Sequence, residues 1–176
     1  MSCKYSGYLL GIGSNIDPDN NIAQIIDLFL GYFPRFSLSR VLKIPPVGMN
    51  SSQDFLNVVI FIETDMAEED LKTICNTIET QLGRDRNDPA RKMKDRTADL
   101  DILTSAQFPQ DGERPARSIT EEYFLYPLLD EIKAYLSESQ IDPLPVGVEI
   151  NLEDLTFGQA ATTIDRNAGS SDKRVV

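Results

Sequence analysis

Apolar positions along the chain follow two different periods, and the changes of period mark out the elements. Residues 8–12 form a short apolar run closing on Gly13, Ser14 and Asn15, which predicts a strand followed by a turn. Ile22, Ile25, Ile26, Phe29 and Leu30 then recur at helical spacing, with Asp19 or Asn20 as N-cap and Pro34 beyond the end. Phe36, Leu38, Leu42 and Ile44 alternate with polar residues, the pattern of a half-buried strand, and Pro45 and Pro46 end it. Residues 55–62 are β-branched or aromatic almost throughout and predict a central strand, interrupted by Asn57. Leu71, Ile74, Cys75, Ile78 and Leu82 give a second amphipathic helix, opened by a capping box of Asp65 and Glu68 and closed by Gly83. Residues 98–103 read as the next strand.

The order strand, helix, strand, strand, helix, strand is that of an α+β protein with a ferredoxin-like βαββαβ core and C-terminal additions. Residues 104–118 read as a polar loop. Thr120 is placed to cap a helical segment reaching Leu136, kinked at Pro127. Residues 146–152 alternate weakly and predict an edge strand. At 176 residues the chain suits one domain, assigned to 1–157, and the small polar residues 158–176 predict a flexible tail.

Composition narrows the function. A net charge of -11 argues against a general nucleic-acid partner, whose binding needs a positive field. It leaves room for a small anion held in a local basic cleft. No apolar run approaches the roughly 20 residues needed to cross a bilayer, and the first residues lack a signal peptide's pattern. With two cysteines there is no disulfide framework. A cytoplasmic monomer with reduced thiols and no membrane partner is expected. The absence of histidine excludes His-dependent triads and His-ligated zinc.

Against this acidic background, six of the seventeen Lys and Arg fall between Arg84 and Arg96. Asp99 and Asp101 follow at once. Side chains at i and i+2 of a strand share a face, so the two carboxylates project together. Paired carboxylates repel unless a cation joins them, and Mg²⁺ is commonly held by one or two carboxylates plus substrate phosphates. Alone, such a pair is more readily a solvated couple or a partner for Arg96. The preceding loop shifts the balance: Arg84, Arg86 and Arg96 suit bidentate phosphate contacts, with Lys92 and Lys94 as point charges. Phosphoryl chemistry, which rests on positioning and charge neutralisation, dispenses with histidine. Two features stay open. The Gly11 and Gly13 pair suits close backbone packing at least as well as phosphate binding. Asn57 either satisfies nearby backbone or faces a ligand.

The segments LGIGSNI, PPVG followed by DFLNVVIFIET, IETQLGRDR and RTADLDIL stand in that order. Through them the chain resembles the 6-hydroxymethyl-7,8-dihydropterin pyrophosphokinase family of folate biosynthesis over about residues 8–103, and again at YFLYPLLDEI. The resemblance implies transfer of a pyrophosphoryl group from ATP to the pterin hydroxymethyl oxygen, with release of AMP and the help of two Mg²⁺ ions. It implies Asp99 and Asp101 as metal ligands, and Arg84 and Arg96 as the arginines that stabilise the transferring phosphates. Glu79, Arg86, Ile102 and Arg114 are implied at the nucleotide. Pro45, Pro46, Val47 and Phe55 are implied around the pterin, with Asn57 on its edge and Tyr123 stacked on its other face.

The chain departs from the family pattern in the basic loop, where Met93 stands in place of a usual tryptophan. It also lacks the histidine that follows the aspartate strand, and Glu121 falls near an arginine's place, with Arg114 or Arg117 as compensating charges. These departures support a rival from another class, a non-catalytic paralogue that binds a pterin or a partner protein. A plain ferredoxin-like interaction module would explain the fold but not the co-occurrence of the aspartates, the arginines and Asn57.

Overall fold

The apolar run around Asn57 is continuous because both faces of its strand are covered. In the computed structural model, which describes residues 3–85, 87–166 and 174–175, this strand is β4 (Phe55–Glu63). It lies beside β1 (Tyr5–Ser14), which in turn pairs with β5 (Asp99–Phe108). The β1 residues Leu10 and Ile12 meet Ile22, Ile25 and Ile26 of α1 (Pro18–Tyr32) and Leu71 and Ile78 of α2 (Glu68–Gln81). The alternate residues Leu9, Val59 and Phe61 meet Leu128, Leu129 and Ile132 of a third helix, here α3 (Tyr126–Ser137), on the opposite face. One sheet therefore serves two cores. Alternation along each strand divides the side chains between them.

The order β5-β1-β4-β2, with β2 at Arg35–Leu38 and each neighbouring pair antiparallel, is the expected ferredoxin-like α+β arrangement. The expected single strand after α1 is two: β2, and β3 (Leu42–Ile44), which also pairs with β4. Between Leu38 and Leu42 the chain advances four positions while β4 advances three, from Ile60 to Asn57. Ser39 absorbs the irregularity: its amide donates to the Val59 carbonyl at 2.8 Å, and its hydroxyl accepts from the Val59 amide at 2.9 Å.

Several boundaries differ from the expectations. The presumed loop after residue 103 begins as strand, since β5 runs on to Phe108 along β1; Ala106 and Phe108 point into the α3 core while Ser105 and Gln107 are exposed. Pro127 lies in the first turn of α3, where a missing N–H costs nothing, so it starts the helix instead of kinking it. Neither expected cap is used: the N-cap residues are Asp17 and Ala67, without side-chain cap bonds, and α2 instead carries three acidic residues in its first turn. Gly83 does take the positive φ, +89°, that a helix end favours. The expected edge strand at 146–152 is only β6 (Ile150–Leu152), paired with β7 (Leu155–Phe157) as a separate hairpin whose apolar residues join the α1 core.

The expected tail also differs. Its residues 162–165 are a buried strand, β8 (Thr162–Asp165), paired with β2, and Thr163 shares a 2.9 Å hydrogen bond with Ser37. A short β9 (Arg174–Val175) follows on its far side. The remainder of that stretch, residues 167–173 and 176, lies outside the described residues.

Candidate active site

Strands β5, β1 and β4 end together on the α3 side of the sheet. Their register places Asp99, Gly13 and Asn57 on one rung, with Asp101 opposite Gly11 on the next rung out from Gly13. Two glycines in the middle strand leave this surface bare. A Cβ on Gly13 would stand 2.8 Å from Asn57 Oδ1, and one on Gly11 would press on Leu125 at 3.1 Å. Close approach is thus what both glycines provide, and its result is a floor between the aspartates and the amide. Over that floor lies a cleft of about 700 Å³, inside the size range of small-molecule sites.

One wall is ionic. Arg84 Nη1 donates to Asp99 Oδ1 at 2.9 Å and to Glu79 Oε2 at 2.8 Å, while Arg96 Nη1 donates to Asp99 Oδ2 at 3.0 Å. Asp99 therefore holds the two arginines side by side at the cleft. Arg96 also stacks over the Phe55 ring at 5.6 Å, a cation–π contact that joins the ionic wall to the aromatic one. Asn15 fastens the loop that carries Arg96. Its Oδ1 accepts from the Arg96 amide at 2.7 Å, its own amide donates to the Arg96 carbonyl at 3.0 Å, and its Nδ2 donates to Asp95 at 2.8 Å.

The facing wall is apolar and open. Pro45, Val47 and Phe55 line it from one side, and Tyr123 from the other. Tyr123 is 64% exposed and, among the described residues, touches an aromatic ring only through an edge contact with Phe124 at 6.1 Å. Asn57 lies between, 6% exposed, with no side-chain hydrogen bond among the described residues. The two readings of Asn57 left open by the sequence thereby separate. Its amide does not serve nearby backbone; it faces the cleft.

The structure thus gathers Arg84, Arg96, Asp99, Asp101, Ile102, Pro45, Val47, Phe55, Asn57 and Tyr123 around one space. Pro46, between Pro45 and Val47 in the chain, does not line the cleft. Two implied nucleotide contacts fall elsewhere. Glu79 is fully buried beneath Arg84. Arg114 lies along the outer part of β5, with its guanidinium reaching the Ser105 carbonyl at 3.4 Å and its own carbonyl accepting from Lys133. Arg86 and the Lys92 side chain lie outside the described residues. Lys94 is drawn to Asp88 within the loop, which holds the Asp88 carboxyl below its ordinary pKa and raises that of Lys94.

Other cleft residues were not singled out from the sequence. Arg91 lines the space and adds its charge to the field that lowers the Asp88 carboxyl, and Met49 lies within 3.8 Å of Arg96. Glu121, noted in the sequence near an arginine's place, is exposed at the rim. Asn15 was visible only as part of the segment ending in GSN, where a turn explains it equally well.

Arginines and carboxylates gathered beside an aromatic, amide-bearing pocket have the chemistry of a phosphoryl-transfer site for a small acceptor. Residues 9–134 match 7,8-dihydro-6-hydroxymethylpterin-pyrophosphokinase, and the chain belongs to that family. It is 32% identical over 130 residues to 2-amino-4-hydroxy-6-hydroxymethyldihydropteridine pyrophosphokinase of Methylorubrum extorquens, which covers 70% of this chain and 80% of that protein. It is 29% identical over 103 residues to the protein of the same description from Porphyromonas gingivalis, covering 57% of this chain and 70% of that protein. Nothing in the fold or in these matches favours the non-catalytic rival.

Proposed function

We propose that this protein transfers the terminal pyrophosphoryl group of ATP to the hydroxymethyl oxygen of 6-hydroxymethyl-7,8-dihydropterin, releasing AMP. The observation that carries this reading is the rung Asp99–Gly13–Asn57, which joins an ionic wall and an amide-bearing aromatic wall across one bare floor. A new bond forms between the acceptor oxygen and the β-phosphorus. The bond from that phosphorus to the oxygen of the α-phosphate breaks, and the hydroxyl proton leaves.

Each wall has its part. Asn57 pairs with the donors and acceptors on the pterin edge, while Phe55 and Tyr123 cover its faces. Arg84 and Arg96, already aligned by Asp99, meet the charge of the transferring phosphates without reorganising. No strong base is needed, because positioning and charge compensation carry phosphoryl transfer.

Asp99 and Asp101 fit Mg²⁺ in donor chemistry. They are hard oxygen ligands on one face of β5, and no group of three or more metal-binding side chains occurs among the described residues. That suits an ion completed by substrate phosphates and water. The arginines leave Asp99 with acceptor capacity, since a carboxylate offers about four lone-pair sites. Two such ions, held by Asp99 and Asp101, would supply charge neutralisation and alignment of the triphosphate.

The test is to incubate the pure protein with ATP, Mg²⁺ and the pterin and to follow AMP. Pterin-dependent AMP is expected. Pterin binding without AMP would overturn the proposed reaction in favour of a binding role.

A further inference from the structure

We infer that Glu79 is a positioning residue that acts through Arg84, and that it makes no contact with the nucleotide. Its place on α2 follows Cys75 by four residues and precedes Leu82 by three, so a carboxylate sits within the helix's apolar stripe. The side chain is 0% exposed. An ionised group taken fully out of water is tolerated only when paired and hydrogen-bonded. Glu79 Oε2 meets that requirement by accepting from Arg84 Nη1 and from the Leu100 amide, both at 2.8 Å. One oxygen therefore ties the end of α2 to β5 at the residue after Asp99.

The consequence falls on Arg84, whose side chain is 7% exposed. Among the described residues, its Nη1 carries all its side-chain hydrogen bonds: to Glu79, to Asp99 and to the Ala98 carbonyl at 3.1 Å. Its Nε is buried without a partner among the described residues. A guanidinium placed only for stability would use its fork fully, since an unmet buried donor is costly. Here one nitrogen is saturated by the protein, and Nη2 remains for the cleft that Arg84 lines. Without Glu79, Asp99 would be the one carboxylate still drawing the fork, and Arg84 would be free to pivot toward it.

This inference rests on the proposed pyrophosphoryl transfer, and a double-mutant cycle separates the two. The variants are Glu79→Gln, Arg84→Ala and the pair together, each assayed as the full chain for kcat and for the KM of ATP and pterin. Gln keeps the size and an acceptor oxygen for Leu100 but removes the charge from Arg84. E79Q is expected to lower kcat by about 10- to 100-fold, the usual effect of a group that orients a contact residue, with both KM values within about threefold. In the R84A background the same change is expected to cost less than about threefold, because effects through a shared partner do not add. An equal loss in both backgrounds would overturn the inference, as would a rise confined to the KM of ATP.

A second readout does not depend on turnover. The Arg84 Nε–H signal in ¹⁵N NMR of the wild-type protein should exchange slowly with water, and E79Q should hasten that exchange. If the wild type makes no AMP, the proposed function falls, and this signal alone decides the role of Glu79. An unchanged signal in E79Q would overturn it. Should E79Q fail to fold, Glu79→Asp, which keeps the charge but withdraws it by one methylene, enters the same cycle with the same expectations.

Discussion

The two walls of the cleft are built on opposite principles. On the ionic wall, Glu79, Arg84, Asp99 and Arg96 hold one another in an alternating chain of charges with contacts of 2.8–3.0 Å. On the apolar wall, Tyr123 and Val47 stand exposed and the Asn57 side-chain amide has no hydrogen-bond partner among the described residues. The contrast follows from desolvation. Charges at the edge of a core must be compensated as the chain folds, or burial alone would cost several kcal/mol per ion. Rings and a neutral amide can wait for a ligand. The ionic wall is therefore set during folding, and the apolar wall is completed by what it binds.

The largest effect that would sharpen this contrast is expected from Asp99→Ala. It removes a carboxylate proposed to bind metal and the common acceptor of two arginines, so kcat should fall by at least about 10²- to 10³-fold in a pterin-dependent AMP assay. The melting temperature should fall as well, since two largely buried arginines lose a partner. Asn57→Ala comes next. It should raise the KM for the pterin by about 10- to 100-fold, the equivalent of ~1–3 kcal/mol for an unmet polar contact. Its melting temperature should hardly change, because the side-chain amide bonds to none of the described residues. If Asn57→Ala destabilised the fold as much as Asp99→Ala, the contrast between the walls would be broken.

Smaller effects probe the floor and the loop. Gly13→Ala should displace the Asn57 amide, 2.8 Å from the added methyl, and raise the pterin KM about fivefold, or ~1 kcal/mol of local overpacking. The Asp88–Lys94 contact should respond to acid alone across the ordinary range. Asp88 is held below its ordinary 3.8 by the Lys94 hydrogen bond, so its contribution is full above that value and is lost as pH falls through the depressed one. Lys94, raised above 10.5, gives the matching loss only at high pH. NMR titration of the Asp88 carboxyl carbon should show a midpoint below 3.8, moving up toward it in Lys94→Ala but staying below, since the Ala90 amide still donates to this carboxyl.

Much of this was legible in the sequence because period encodes direction. Alternation alone puts Asp99 and Asp101 on one face, and Asn57 stands out as an amide in an apolar strand. The extent of β5 was not legible. Residues 104–107 read as loop because three of them are polar, and only the register with β1 makes them an edge strand. The strand at 162–165 was missed for a related reason: short, threonine-rich segments carry little apolar signal, and burial against β2 supplies the rest. Glu79 stood in the sequence only as an implied nucleotide contact, although its place among the α2 apolar positions is a buried one. Its partner could not be read, since Arg84 reaches it through a turn that no periodicity describes.

The most direct test of the central claim is a crystal structure with Mg²⁺, the pterin and an ATP analogue in which a methylene replaces the α,β-bridging oxygen. The account predicts the pterin ring between Phe55 and Tyr123 with its edge on Asn57, and the β-phosphorus between Arg84 and Arg96, about 3–3.5 Å from the hydroxymethyl oxygen. A triphosphate lying away from both arginines, or a pterin whose hydroxymethyl group points away from Asp99, would contradict it.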